Sequence, residues 1–194
     1  QTRTVGAERI FNPRYLLTPR VGWLPLALTI LLAGAEALGQ SALFDEDSIP
    51  YGKAPIDYFG EAADNPVATL EADLAAGRKE LQFEEGSGYL RSLLAALGVP
   101  VQSQVLVFSK SSLNQQLIEP GNPRAIYFND DVYVAWVPGS ASLEISAVDR
   151  QKGALFYTLT QQRQQPVQFR REERCLVCHA SRSTLDVPGH MLRS

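Results

Sequence analysis

The chain has 194 residues, enough for one cored domain with appendages, and a net charge of −3 at pH 7. Its 45% apolar and 20% charged residues exclude both a disordered tail and a multi-span membrane protein. Of 18 basic and 21 acidic residues, four arginines but only two glutamates fall in the first forty, so the remainder is acidic and lacks the basic stripe of a general nucleic-acid binder.

The N-terminal stretch reads as an export signal. Arg3, Arg9, Arg14 and Arg20 precede an apolar run, Val21 to Ala35 (VGWLPLALTILLAGA), which ends at Ala35-Glu36-Ala37. A basic flank, a short apolar centre and small residues at a cut site form the secretory pattern, with cleavage expected after Ala37 or a little later. A spanning helix needs ~20 apolar residues, and this run is shorter and contains Pro25, so an uncleaved anchor is the weaker reading. No cysteine lies near the cut, which leaves lipoprotein anchoring unsupported. Residues 1–40 are therefore expected to be a leader, and 41–165 an α+β domain without a membrane span. Residues 166–194 form a further segment.

Ser41 to Gly60 is acidic, aromatic and proline-containing, an irregular lead-in. Asn65 as cap, Pro66 in the first turn, a Val67, Leu70, Leu74 stripe and Gly77 as stop predict a first helix. Leu90, Leu93, Leu94 and Leu97 with Gly98 behind them predict a second, over about Gly88 to Leu97. Both stripes suit a core. The period then changes. Val101 to Phe108 is β-rich, and Leu113 to Ile118 is polar with some helical character. Ala125 to Phe128 and Val132 to Val137 flank Asn129-Asp130-Asp131 and read as a hairpin. Leu143, Ile145 and Ala147 alternate with Glu144 and Ser146, Asp149 to Gly153 turns, and Ala154 to Thr160 returns. The expected fold class is α+β: an antiparallel meander of three to five strands, two helices ahead of it, and a C-terminal helical or loop segment, residues 166–194, that carries both cysteines. Gln161 to Gln165 links the two.

Both cysteines of the chain lie in Cys175-Leu176-Val177-Cys178-His179. C-x-x-C-H is the attachment spacing of c-type haem, where two thiols meet the two vinyl groups of one porphyrin edge and the adjacent histidine ligates the iron. An export signal agrees with it, since thiols outside the cytoplasm would otherwise oxidise. A thioredoxin-like couple lacks its βαβ context, and a zinc site built with His179 and His190 lacks the paired spacing. Covalent haem c, held by Cys175 and Cys178 with His179 as proximal ligand, is the expected cofactor.

The distal side offers His190 and Met191, in Val187-Pro188-Gly189-His190-Met191. Methionine raises a haem potential, a second histidine gives a lower one, and an open position admits ligand or peroxide chemistry. His190 is preferred over Met191, because imidazole binds either iron oxidation state and Gly189 frees the backbone. Arg163, Arg170, Arg171, Arg174, Arg182 and Arg193 gather around the motif. Arginine forks suit carboxylates, so Arg174 and Arg182 are candidates for the haem propionates, while most of the six form a solvated charged face. Asp130 and Asp131 could do acid/base work, but their place in a hairpin turn has a backbone reason. Tyr127, Phe128, Tyr133 and Trp136 suit sheet packing, with some available to line a porphyrin.

Three stretches carry a family resemblance: Ser103-Gln104-Val105-Leu106-Val107-Phe108-Ser109-Lys110; Arg124-Ala125-Ile126-Tyr127-Phe128-Asn129-Asp130-Asp131-Val132-Tyr133-Val134; and Cys175-Leu176-Val177-Cys178-His179-Ala180-Ser181 with Val187-Pro188-Gly189-His190. Over roughly residues 43–194 the chain resembles bacterial exported proteins described as containing a cytochrome c domain. The resemblance implies a single-haem or few-haem electron-transfer module and no substrate. It also implies a protein that continues past Ser194, where a distal ligand could lie. Small soluble cytochromes c carry the motif near the N-terminus, and cytochromes c′ are four-helix proteins. A C-terminal motif behind a strand-rich region fits neither.

The expected function is thus electron transfer between redox partner proteins, in a bacterial protein that is periplasmic or otherwise exported. The alternatives are a peroxidase-like haem enzyme and a haem-based sensor, each with an open distal position.

Overall fold

Alternating apolar and polar residues build the centre of the protein. The computed structural model describes residues 50–190; the expected leader and Met191 lie outside the described residues. Strands β1 (Val105–Val107), β2 (Arg124–Phe128), β3 (Val132–Trp136), β4 (Ser142–Asp149), β5 (Gly153–Thr160) and β6 (Phe169–Arg171) form one antiparallel sheet in chain order. The α+β class is therefore observed, with six strands rather than the three to five expected.

Side chains on a strand alternate between faces, so register decides what each face carries. Tyr127 pairs with Val134, Val134 with Ile145, and Ile145 with Tyr157. These residues, with Val132, Leu143, Ala147, Leu155 and Leu159, are buried in the core. The other face carries Ile126 opposite Ala135, Ala135 opposite Glu144, Tyr133 opposite Ser146, and Ser146 opposite Phe156. One face builds the core and the other faces the cavity described below.

Helices α1 (Pro66–Ala75) and α2 (Leu90–Ala96) share that core with the first face. The Asn65 side chain caps α1, accepting from Val67 N at 3.0 Å and Ala68 N at 3.1 Å, which satisfies two otherwise orphaned donors. Val67 and Leu70 of α1 and Leu90, Leu93 and Leu94 of α2 are buried. Truncating one of these leucines to alanine would cost about 2–5 kcal/mol.

One carboxylate ties α1 to the sheet. Asp149 Oδ2 accepts from Asp64 N at 2.7 Å and Asn65 Nδ2 at 3.4 Å, and its Oδ1 accepts from Gln151 N at 3.0 Å and Lys152 N at 2.9 Å. Burial alone would raise the Asp149 pKa, but these four donors outweigh it and hold the carboxyl below its ordinary value. Asn65 Nδ2 also donates to the Tyr157 hydroxyl at 2.9 Å.

Local turn chemistry explains where strands stop. Asn129 Oδ1 accepts from Asp131 N at 3.0 Å and Val132 N at 2.8 Å, which leaves Asp130 and Asp131 exposed in a turn. The β-rich run from Val101 to Phe108 yields only three strand residues. Val101–Ser103 instead coils into a 3-10 turn after Pro100, closed by Ser103 N donating to Pro100 O at 3.1 Å. Among the described residues no helix is long and apolar enough to cross a membrane.

Candidate functional site

The C-x-x-C-H segment folds as a short helical hook. A 3-10 turn, Glu173–Cys175, runs directly into α3 (Leu176–His179). Residues three and four apart share a helix face, so Cys175, Cys178 and His179 come together. Leu176, almost fully buried, points into the core and fixes the hook, while Val177 is exposed. Both cysteines are free thiols.

The hook forms one wall of a cavity of about 460 Å³. That size lies within the range of small-molecule and cofactor sites, about 300–1,000 Å³. The floor is the second face of the sheet, with Ile126, Tyr133, Ala135, Ser146 and Phe156. The far wall comes from the connection between β1 and β2, around Ser109 to Gln115. Aromatic and aliphatic surface therefore meets two thiols and an imidazole.

A strap formed by residues 187–190 sets the histidine. Ala154 N on β5 donates to Pro188 O at 3.0 Å, and Gly189 N donates to His179 O at 2.9 Å. His179 Nδ1 lies 2.9 Å from Gly189 O. A carbonyl can only accept, so Nδ1 carries a proton, and in the neutral ring Nε2 keeps its lone pair. Carbonyl partners of this kind fix the orientation of metal-bound histidines and raise their basicity. The Phe156 ring packs 4.8 Å from the imidazole.

His190 reaches the same cavity from the strap. Its Nε2 is hydrogen-bonded to Ser146 Oγ, and its ring lies 4.6 Å from that of Tyr133. Burial, and then the neighbouring His179, lower its pKa. Ligation by Nε2 would require release from Ser146. Arg174 also lines the cavity, but its guanidinium forks onto Glu172, with Nε–Oε1 at 2.7 Å and Nη2–Oε2 at 2.6 Å. Arg182 is exposed on the turn Arg182–Thr184 and is not part of the cavity lining.

The Cys175 thiol is held neutral. Burial first, then the Glu172 and Glu144 carboxylates, push its pKa up to about 12. Redox-active dithiols work the other way, with depressed pKa values. Among the described residues no three or more His, Cys, Asp or Glu side chains are grouped to hold a bare metal ion. A haem asks less of the protein, because the porphyrin brings its own four nitrogens and needs one imidazole.

Protein-family models, curated proteins and solved structures yield no match to this chain.

Sequence reasoning missed the polar end of the cavity. Arg124 on β2 and Glu144 on β4 approach to 3.6 Å, and both line it with Lys110 and Ser112. Glu144 Oε1 accepts from Ser112 Oγ at 2.5 Å and Asn114 Nδ2 at 2.9 Å. The available signal was period-two alternation, which puts Arg124, Ile126, Glu144 and Ser146 on the face away from the apolar core.

Proposed function

We propose that this protein is an exported c-type haem protein that passes electrons between redox partners. Haem c would be bound covalently through Cys175 and Cys178, with His179 as proximal ligand. The observation that carries this reading is the His179 Nδ1 contact with Gly189 O at 2.9 Å, on a wall shared with both thiols. It leaves Nε2 as the ring's only free donor atom. The motif's spacing, the apolar sheet floor and the cavity volume support the same fit.

The attachment chemistry balances without an oxidant. Cys175 and Cys178 would each hold the haem by adding S–H across one vinyl double bond, sulfur bonding to one carbon and hydrogen to the other. When bound, the haem iron would supply one-electron chemistry, and the protein would supply its orientation. Phe156 and Tyr133 give the cavity floor an aromatic surface, and the strap holds the imidazole. The export reading rests on the basic-flanked run Val21 to Ala35 and on the need of haem attachment for reduced thiols outside the cytoplasm.

A second reading, a haem enzyme or sensor with an open distal position, has a specific observation in its favour. His190 Nε2 is engaged by Ser146, and Gly189, its neighbour in the chain, binds the Nδ1 side of His179. In that arrangement His190 Nε2 would have to leave Ser146 Oγ before it could serve as the sixth ligand.

Two measurements test these readings on protein exported by a host with haem c attachment machinery. Haem staining after denaturing electrophoresis should be positive, and Cys175→Ala with Cys178→Ala should abolish it. A negative stain for the unaltered chain would end the haem reading. Optical spectra with and without CO or cyanide then separate the functions. Six-coordinate low-spin iron indifferent to both supports electron transfer, and ready binding supports the open-site reading.

A further inference from the structure

The charges lining the cavity do not cancel. Lys110, Arg124 and Arg174 face a single carboxylate, that of Glu144. Arg174 is neutralised by its forked pair with Glu172. Glu144 Oε1 is saturated by Ser112 Oγ, Asn114 N and Asn114 Nδ2, and its Oε2 lies 3.6 Å from Arg124 Nη1. Lys110 and Arg124 together thus oppose one negative charge. The polar end has room for one more.

Arg124 is under-bonded as well as over-charged. Its side chain is only 12% exposed. The only side-chain hydrogen bond it makes among the described residues runs from Nη1 to Ser111 O at 2.7 Å. Nε is buried with no partner. A guanidinium has five donors, and leaving them unmet out of water is unfavourable. Position and charge both ask for an acceptor anion, and the planar fork suits a carboxylate.

We propose that Arg124, assisted by the exposed Lys110, binds one carboxylate group of a ligand held in the cavity. That carboxylate belongs either to a propionate of the attached haem or to a free small carboxylic acid. The first source rests on the haem reading above, and the second does not.

Arg124→Gln, Arg124→Lys and Lys110→Gln, each in the full chain, test the proposal with two readouts. The first is the pH dependence of the haem midpoint potential. If Arg124 holds a propionate, Arg124→Gln moves that curve to higher pH, while Arg124→Lys moves it less. The second is succinate titration, followed by the backbone amide resonances of Ser111 and Ser146. If a free acid is the ligand, the unaltered chain binds succinate saturably and Arg124→Gln weakens binding about tenfold or more. Lys110 is exposed, so Lys110→Gln keeps the fold and should give a smaller change in whichever readout responds. Should Arg124→Gln fail to fold, Arg124→Lys and Lys110→Gln decide. Unchanged potential curves together with no saturable succinate response would overturn the proposal. If haem staining is negative, the haem reading fails by itself, and succinate titration of the haem-free chain alone decides this one.

Discussion

At the scale of single residues, the site depends on two protonation states. His179 is constrained by a carbonyl to carry its proton on Nδ1. Cys175 is constrained by burial and nearby carboxylates to stay a thiol, with a pKa of about 12. The sign of the second effect follows from linkage. Folding raises this pKa above the ordinary thiol value of ~8.5, so its contribution to stability is complete below that value and fades as pH climbs toward the folded one. The haem-free chain should therefore lose urea resistance between about pH 8.5 and 12 more steeply than Cys175→Ala does. Equal slopes in urea titrations across that range would refute the assignment. In the folded haem-free protein, exposed Cys178 should also alkylate before Cys175.

Among the elements, the strap is the piece on which the histidine depends, and its seat is a glycine. Gly153 opens β5 with φ of +79°, and a Cβ there would meet Pro188 O at 2.2 Å. Gly139 has nearly the same φ, +80°, but open space around it. An alanine at either position incurs left-handed strain of about 1–2 kcal/mol, and only Gly153→Ala adds the collision. It should be the more destabilising by over ~1 kcal/mol, and it should speed hydrogen exchange at Ala154 and Gly189. Equal stabilities with unchanged exchange would show that the strap does not seat there.

The elements also mark what was readable beforehand. Asn65-Pro66 with Gly77, the Asn129 turn and the alternation from Leu143 to Ala147 each carry a local cause, and each lies where local chemistry placed it. β6 has three residues, too few for a period to show, and its pairing with β5 is a long-range choice. The Arg124–Glu144 pair was invisible for a related reason. The two lie on β2 and β4 and meet only because β3 stands between them in a particular register. C-x-x-C-H was legible outright, since its chemistry resides in adjacent residues.

For the molecule as a whole, Asp149 is the polar tie between the start of α1 and the β4–β5 turn. Asp149 is buried there and accepts four hydrogen bonds. Its folded pKa is lowered, so its contribution is present above the ordinary carboxylate value of ~3.9 and is lost as pH falls through the folded one. Asp149→Asn should cost about 1–3 kcal/mol near neutrality, and the gap from the unaltered protein should narrow as acid protonates the native carboxylate. Chemical denaturation at several pH values checks this, and a gap independent of pH would contradict it.

The two faces of the sheet have a consequence for how such a protein can change. Tyr127, Val134, Leu143 and Leu155 belong to the packed core, whereas Ile126, Ala135 and Ser146 line the cavity. Because successive residues on a strand point oppositely, a substitution at Ala135 alters the room available to a ligand without entering the packed layer behind it. Robustness and ligand choice are thereby written in alternate letters of the same strands. Such a scaffold can drift toward a new occupant by small steps at Ile126, Ala135 or Ser146 while its folding stays intact.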